Sequence, residues 1–381
     1  MRRQNSVLHS ILQFIPWNSF DRLVDEHEAD ARVRRFSSKS HLVTLIHAQL
    51  SGAQSLRDIE TTLASHRTGL YHLGVRAPAR STLADANGKR TAALFGDLFG
   101  VLLKHAHPAL RRHARDAVNL IDATHIPLSA LAKDWVHGGR KSGVKMHTVL
   151  DAGSGLPIHF DVAQASINDI TMAKGLEIRP GQTYVFDLGY YDFGWWSELH
   201  RAGCRFVTRL KTHTRPAVVE TRRVKDDGPI KSDKIIVMTW RLKSNRTNPL
   251  TDVPLREIEV VIETGKKLRI VTNDLKASAE DIANLYKTRW QIELFFKWVK
   301  QNLKIRRFIG TSENAIKLQI TIAMIAYLLL RMAHAAKSNG QNLLVFMRLV
   351  RANLMHRRML DRLLEAPPDT SDPDQGNLQL C

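Results

Sequence analysis

Ala117-Val-Asn-Leu-Ile-Asp122 marks a change of period in the chain. Upstream, Leu42, Leu45 and Ile46 keep helical spacing; here a short apolar run without that spacing ends in a carboxylate, which predicts a buried strand. Two more strands follow, over Val144–Leu150 and Leu156–Val162, on either side of the turn-rich Asp151-Ala-Gly-Ser-Gly155. Ile170–Ile178 reads as a helix closed by Arg179-Pro180-Gly181. Thr183-Tyr-Val-Phe186 then feeds a fourth strand into Asp187, and Cys204–Leu210 supplies a fifth. Three strands in succession, a helix and two further strands describe an α/β mixed sheet.

Outward from that core the chain is helical at both ends. Over residues 1–112, Ser38 is placed to cap a helix that Gly52 ends, Ser55 to open a second, and Ser81-Thr82 a third. These short helices fit a helix-turn-helix DNA reader or an ordinary bundle. Residues 211–262 carry hairpin-like runs, Lys234–Trp240 and Glu257–Ile262, and read as a basic β-rich insertion. Between Arg205 and Arg246 stand 12 basic residues against four acidic ones. One long helix is expected over 279–303, a helical basic region over 336–364, and a disordered acidic tail over 365–381.

Composition limits what such a chain does. Fifty-six Lys and Arg against 37 Asp and Glu leave a net charge of +19. A surplus of that size favours a polyanion, because Lys and Arg release counterions from phosphates. Two cysteines, Cys204 and Cys381, exclude a disulfide framework and a four-thiolate zinc site, and suit a reducing cytoplasm. The opening Met-Arg-Arg-Gln-Asn-Ser lacks the apolar core of a signal peptide. Ile320–Leu330, the longest apolar stretch, is about half a membrane span and reads as a buried helix, so no membrane partner is expected.

The chemistry concentrates in residues 279–303. Ser278 and Asp281 fit a capping box. At about 100° per residue, Tyr286, Arg289, Glu293 and Lys300 fall on a stripe about 60° wide, bordering an apolar face of Leu285, Ile292, Phe295, Phe296, Val299 and Leu303. Alone, a Glu there marks a solvated helix edge. Asp122 and Asp187 change that reading, since groups at the ends of neighbouring strands converge at one sheet edge. Three carboxylates without a Cys/His set describe a hard-cation site for Mg²⁺, with Mn²⁺ as a substitute. Two such ions can activate an attacking oxygen and stabilise the leaving one at phosphorus. Tyr286, Arg289 and Lys300 are the candidate DNA contacts, the two cations gripping phosphates. Asp151, Asp161, Asp169 and Asp192 compete as ordinary turn formers, and Trp195, Trp196, Trp240, Trp290 and Trp298 divide between core filling and stacking on an unpaired base. His105-x-His107 is a weak metal pair.

Tyr286-x2-Arg289-x3-Glu293-x6-Lys300 resembles the Y-R-E-K signature of bacterial insertion-sequence DDE transposases of the insertion sequence 4 type. Ile-Asp122-Ala-Thr and Val-Phe-Asp187-Leu-Gly-Tyr-Tyr are similar to that family's two aspartate motifs, and Gln49–Asp58 with Ser81–Asn87 to its helical leader. The resemblance covers roughly residues 10–335. It implies an RNase H-like catalytic domain over 113–335 with the β insertion between Asp187 and Glu293, behind a helical DNA-binding region over 1–112. It also implies Asp122, Asp187 and Glu293 as catalytic metal ligands, and Mg²⁺-dependent cut-and-paste transposition through hairpin ends. The partners implied are double-stranded DNA, as terminal inverted repeats and target, and a second copy of the chain in a synaptic complex. A structure-specific nuclease and an inactive DNA-binding protein are the alternatives.

Overall fold

A computed structural model describes residues 5–106, 117–128, 143–225, 227–239, 247–303, 305, 308–337, 342–360 and 363. In chain order the helices are α1 (Val7–Leu12), α2 (Trp17–Glu26), α3 (Ser38–Ser51), α4 (Leu56–Ser65), α5 (Arg67–His72), α6 (Arg80–Lys89) and α7 (Ala92–His105). Strands β1 (Val118–Pro127), β2 (Gly143–Asp151) and β3 (Leu156–Gln164) follow, then α8 (Asp169–Ala173), β4 (Thr183–Phe186), a 3₁₀ turn (Leu188–Tyr190), α9 (Phe193–Arg201) and β5 (Arg205–Arg209). Four further strands, β6 (Ala217–Arg222), β7 (Ile230–Val237), β8 (Leu255–Val261) and β9 (Lys267–Thr272), precede α10 (Ala279–Lys287), α11 (Trp290–Asn302), α12 (Glu313–Lys337) and α13 (Leu343–Asn353). The acidic tail, Trp240 and His107 lie outside the described residues.

The chain divides into two compact units, Met1–Ala86 with Ile325–Cys381, and Asn87–Met324. The first is helical. Its central α3 buries nearly every side chain, including His41 and His47. The cap of α3 is Ser37, which accepts from Ser40 N, and not Ser38 as expected; Ser38 instead donates from N and Oγ to Asp30, both at 2.8 Å. Gly52, at φ 77°, ends the helix in the left-handed region that suits glycine. Ser55 caps α4 as the sequence implied.

The second unit is built on one nine-stranded sheet of order β3-β2-β1-β4-β5-β9-β8-β7-β6. β1, β4 and β5 run parallel, β2 runs antiparallel to β1 and β3 antiparallel to β2, the RNase H-like mixed sheet that the resemblance implied. The β insertion is no separate lobe: β9 pairs with β5 from Val207↔Thr272 to Arg209↔Ile270, so the insertion returns to the core and lengthens its sheet. β9, Lys-Leu-Arg-Ile-Val-Thr, has the alternation of a half-buried strand and lies beyond the runs read from the sequence.

Three boundaries differ in ways that bear on the site. Asp122 does not close β1. The parallel pairing with β4 ends at Ile121↔Phe186, but the antiparallel pairing with β2 carries β1 on to Pro127. The helix expected over 279–303 is two helices. At the junction Arg289 N bonds Tyr286 O and Gln291 N bonds Thr288 O, the tighter 3₁₀ pattern, and Thr288 Oγ1 donates to Leu285 O at 2.6 Å. The helix expected over Ile170–Ile178 stops at Ala173, short of Gly175. α12 is longer than the apolar stretch read from the sequence; by length and composition it passes for a membrane span, and 83% of its most apolar window is buried inside the protein.

Candidate active site

The end of β4 is held from below by aromatic packing. Phe186, Tyr190, Trp195, Trp196 and Phe206 form one buried cluster, with Phe186 and Trp195 centroids 4.8 Å apart. Burying a side chain of this size contributes about 1.5–3 kcal/mol, so the turn after Phe186 is anchored on both sides. Trp195 and Trp196 are therefore core, while Trp290 is 60% exposed on α11. Asp192 caps α9 through Trp195 N, and Asp151 caps its own turn through Ser154; both are structural.

On this base Asp187 leaves β4 and accepts from Gly189 N at 2.8 Å, starting the 3₁₀ turn. Ile121↔Phe186 is the last parallel pair, so Asp187 leaves β4 beside Asp122, which stays in β1 paired with Thr148 of β2. α11 packs over β1 and brings up the third carboxylate. Arg289 bridges the two: Nη1 lies 3.3 Å from Asp122 Oδ2, and Nη2 lies 2.5 Å from Glu293 Oε1. The structure thus places Asp122, Asp187, Arg289 and Glu293 at one sheet edge. Tyr286 is buried at the end of α10, and Lys300 lies half-buried near the end of α11.

The electrostatics record this crowding. Burial, with Asp187 and Glu293, pushes the Asp122 carboxyl up to about 7, against the opposing pull of Ala123 N–H and Arg289. Burial pulls the Arg289 guanidinium down, but its bond to Glu293 and the charges of Tyr286, Glu293 and Asp122 outweigh that and leave it raised. Burial also raises the Tyr286 hydroxyl, opposed by Arg289 and Arg209. Asp122 is a carboxylate with too little positive charge beside it. A cation relieves that deficit, and an all-oxygen set suits a hard one. Among the described residues no three His, Cys, Asp or Glu side chains converge as a closed metal site. Arg289 stands between two of the three carboxylates, so the donor chemistry fits a divalent ion while the guanidinium supplies the charge.

Residues 113–329 match the model of the transposase DDE domain. The transposase-named protein y4zB of Sinorhizobium fredii is 41% identical over 295 residues, covering 77% of this chain and 82% of the relative. The chain belongs to the DDE transposases. The transposase named for insertion sequence element IS4SA of Synechocystis is 41% identical over 283 residues, covering 71% of this chain and 77% of its own. The cryo-EM structure of the piggyBac transposase synaptic complex with hairpin DNA aligns at TM-score 0.48 and 10% identity, over 96% of this chain and 83% of that one. Residues 3–76 of the transposase match a domain of unknown function (DUF4372). As an enzyme of this family it cleaves and transfers DNA strands, in a family that depends on divalent metal.

One residue near this edge was passed over in the sequence. Asp169, ranked only as a turn former, lies beside the Asp187 turn, where Gly189 separates the two carboxylates. Nothing in its local sequence marks it; only the fold brings α8 against the 3₁₀ turn.

Proposed function

We propose that the transposase cuts at the ends of its insertion sequence and joins them to target DNA by Mg²⁺-dependent cut-and-paste chemistry through hairpin ends. The observation that carries this reading is Asp122 beside Asp187 where the parallel pairing of β1 with β4 ends, tied to Glu293 through Arg289. In it Asp122, Asp187 and Glu293 are the catalytic residues and hold the divalent ions, Mg²⁺ or Mn²⁺. Bound there, two such ions activate an attacking oxygen and neutralise the leaving one. Arg289 turns its planar fork from the carboxylates to a phosphate of the strand being cut, and Lys300 adds a point charge farther along the helix. Tyr286, buried, backs Arg289 from the protein side and so shapes the DNA contact.

In the same reading the attack at phosphorus is in line. Water opens one strand, and the freed 3′-hydroxyl attacks the opposite strand to leave a hairpin. A second water reopens the hairpin, and the 3′-hydroxyl it frees attacks a target phosphodiester, whose own 3′-oxygen leaves. The protein contributes alignment and charge neutralisation, not a covalent intermediate. The helical region over 1–112 binds the terminal repeats, the core over 113–335 does the chemistry, and two copies pair the ends.

Incubation of the full-length protein with its own flanking DNA, with and without Mg²⁺, tests this. Cleavage at the element ends only with Mg²⁺, and transfer of precut ends into a target plasmid, are the expected results. Cleavage without joining makes the protein a nuclease, and binding without cleavage makes it an inactive DNA-binding protein.

A further inference from the structure

Asp169 begins α8 on the far side of Gly189 from Asp187. A Cβ at Gly189 would lie 3.0 Å from Asp187 Oδ1 and 3.1 Å from Asp169 Oδ2, so two carboxylates share one gap that only glycine leaves open. Lys145 on β2 neutralises the outer one: Nζ donates to Asp169 Oδ1 at 2.9 Å and to Ile167 O at 3.0 Å. Two polar side chains more than nine-tenths buried lie near these carboxylates. Tyr190 is 1% exposed and its hydroxyl has no hydrogen-bond partner among the described residues; Asp122, Asp169 and Asp187 all act on it. His147 is 6% exposed, neither ring nitrogen is bonded among the described residues, and Nδ1 lies 3.9 Å from Asp169. Both line a cavity of about 260 Å³ between the sheet and α8. Buried polar groups left unpaired are costly, and such sites hold a function or a ligand.

We propose that Asp169 is a positioning residue of the active site, a fourth carboxylate that acts through Asp187, with Lys145 setting how much of its charge reaches the divalent cation. The inference rests on the reading that Asp122, Asp187 and Glu293 hold that cation. Asp169 does not ligate. Its charge adds to the field in which Asp187 works, and Lys145 cancels part of it. The two partners of one ion pair therefore have opposite effects on the cation. A purely structural bridge predicts the reverse: breaking it from either end shifts cation binding the same way.

The experiment is direct Mn²⁺ binding to the full-length protein by calorimetry, without DNA, for wild type, Asp169→Asn, Lys145→Gln and Asp187→Asn. Asp169→Asn is expected to weaken Mn²⁺ by roughly five- to thirtyfold, the effect of one nearby unit charge at intermediate dielectric. Lys145→Gln is expected to tighten it. Asp187→Asn weakens it most and checks the underlying reading. If Asp187→Asn leaves Mn²⁺ binding unchanged, the cation reading fails and takes this inference with it. If Asp187→Asn weakens binding but Asp169→Asn and Lys145→Gln shift it together or not at all, Asp169 is structural only. Thermal unfolding of each variant is read alongside; Gly189→Ala, which crowds both carboxylates, must weaken Mn²⁺ as Asp169→Asn does, and an unchanged affinity there also overturns the inference.

Discussion

Arg289 holds two carboxylates at once, and a lysine has no geometry for that. Its guanidinium reaches Asp122 with Nη1 and Glu293 with Nη2, whereas an ammonium is a single point. Arg289→Lys keeps the net charge but is expected to slow single-turnover cleavage about ten- to 150-fold, the loss of one charge-assisted hydrogen bond at the transition state. Arg357→Ala, on an exposed residue, serves as the control and should cut at the wild-type rate. Rates for Arg289→Lys equal to wild type remove the guanidinium from the chemistry. A second single-residue effect lies in the helical unit. His47 is 1% exposed with Nδ1 unbonded among the described residues, and burial, with His66 adding, lowers it from 6.5 to about 4. The folded state then keeps His47 neutral where the unfolded chain has bound a proton. Stability is full above pH 6.5, falls as pH drops towards 4, and levels below that, a loss of about 3 kcal/mol. Urea midpoints between pH 4 and 7.5 should show the loss in wild type and much less of it in His47→Gln; equal slopes in both assign it elsewhere.

Between elements, the ladder of the insertion and the start of α10 are locked by one buried ion pair. Arg256 on β8 donates from Nε and Nη2 to Asp233 on β7, at 2.8 and 2.7 Å, and from Nη1 to Ala277 O just before the Ser278 cap. Asp233→Leu leaves a buried guanidinium unpaired and is expected to cost about 3–5 kcal/mol, while Asp233→Leu with Arg256→Leu should cost clearly less, as paired charges replaced together do. Chemical denaturation of the two variants decides it; a double variant no better than the single one shows that the bond to Ala277, not the pairing, is what matters. At this scale the sequence was legible wherever one residue set a local geometry. Ser278 and Ser55 start helices and Gly52 ends one where expected, and the β4 run leads into Asp187. It failed where a partner strand or a tightened turn decided. β1 runs past Asp122 because β2 continues to pair with it, and Thr288 divides the long helix by bonding backward. The spacing of Arg289 and Glu293 survived that break because Thr288 and Arg289 keep right-handed helical angles. Asp169 was illegible as a site residue, since its meaning depends on a glycine twenty residues later in a different element.

The whole molecule carries +19, and the basic insertion is part of the same sheet as the candidate site. Phosphate contacts spread over such a surface make DNA affinity fall steeply with salt, with a log–log slope of about −0.9 for each phosphate neutralised. Binding to terminal DNA measured from 50 to 300 mM salt should therefore give a slope of several units; a nearly flat line reduces the basic surplus to a solubility feature. In the proposed mechanism three carboxylates, Asp122, Asp187 and Glu293, perform the strand cleavage. Its most direct test is Mg²⁺-dependent cleavage of labelled terminal DNA by Asp122→Asn, Asp187→Asn and Glu293→Gln, with DNA binding measured on the same preparations. Each substitution removes one charge with little change of shape, so cleavage should be abolished and binding retained; near-normal cleavage by any of the three contradicts that residue's place in the site.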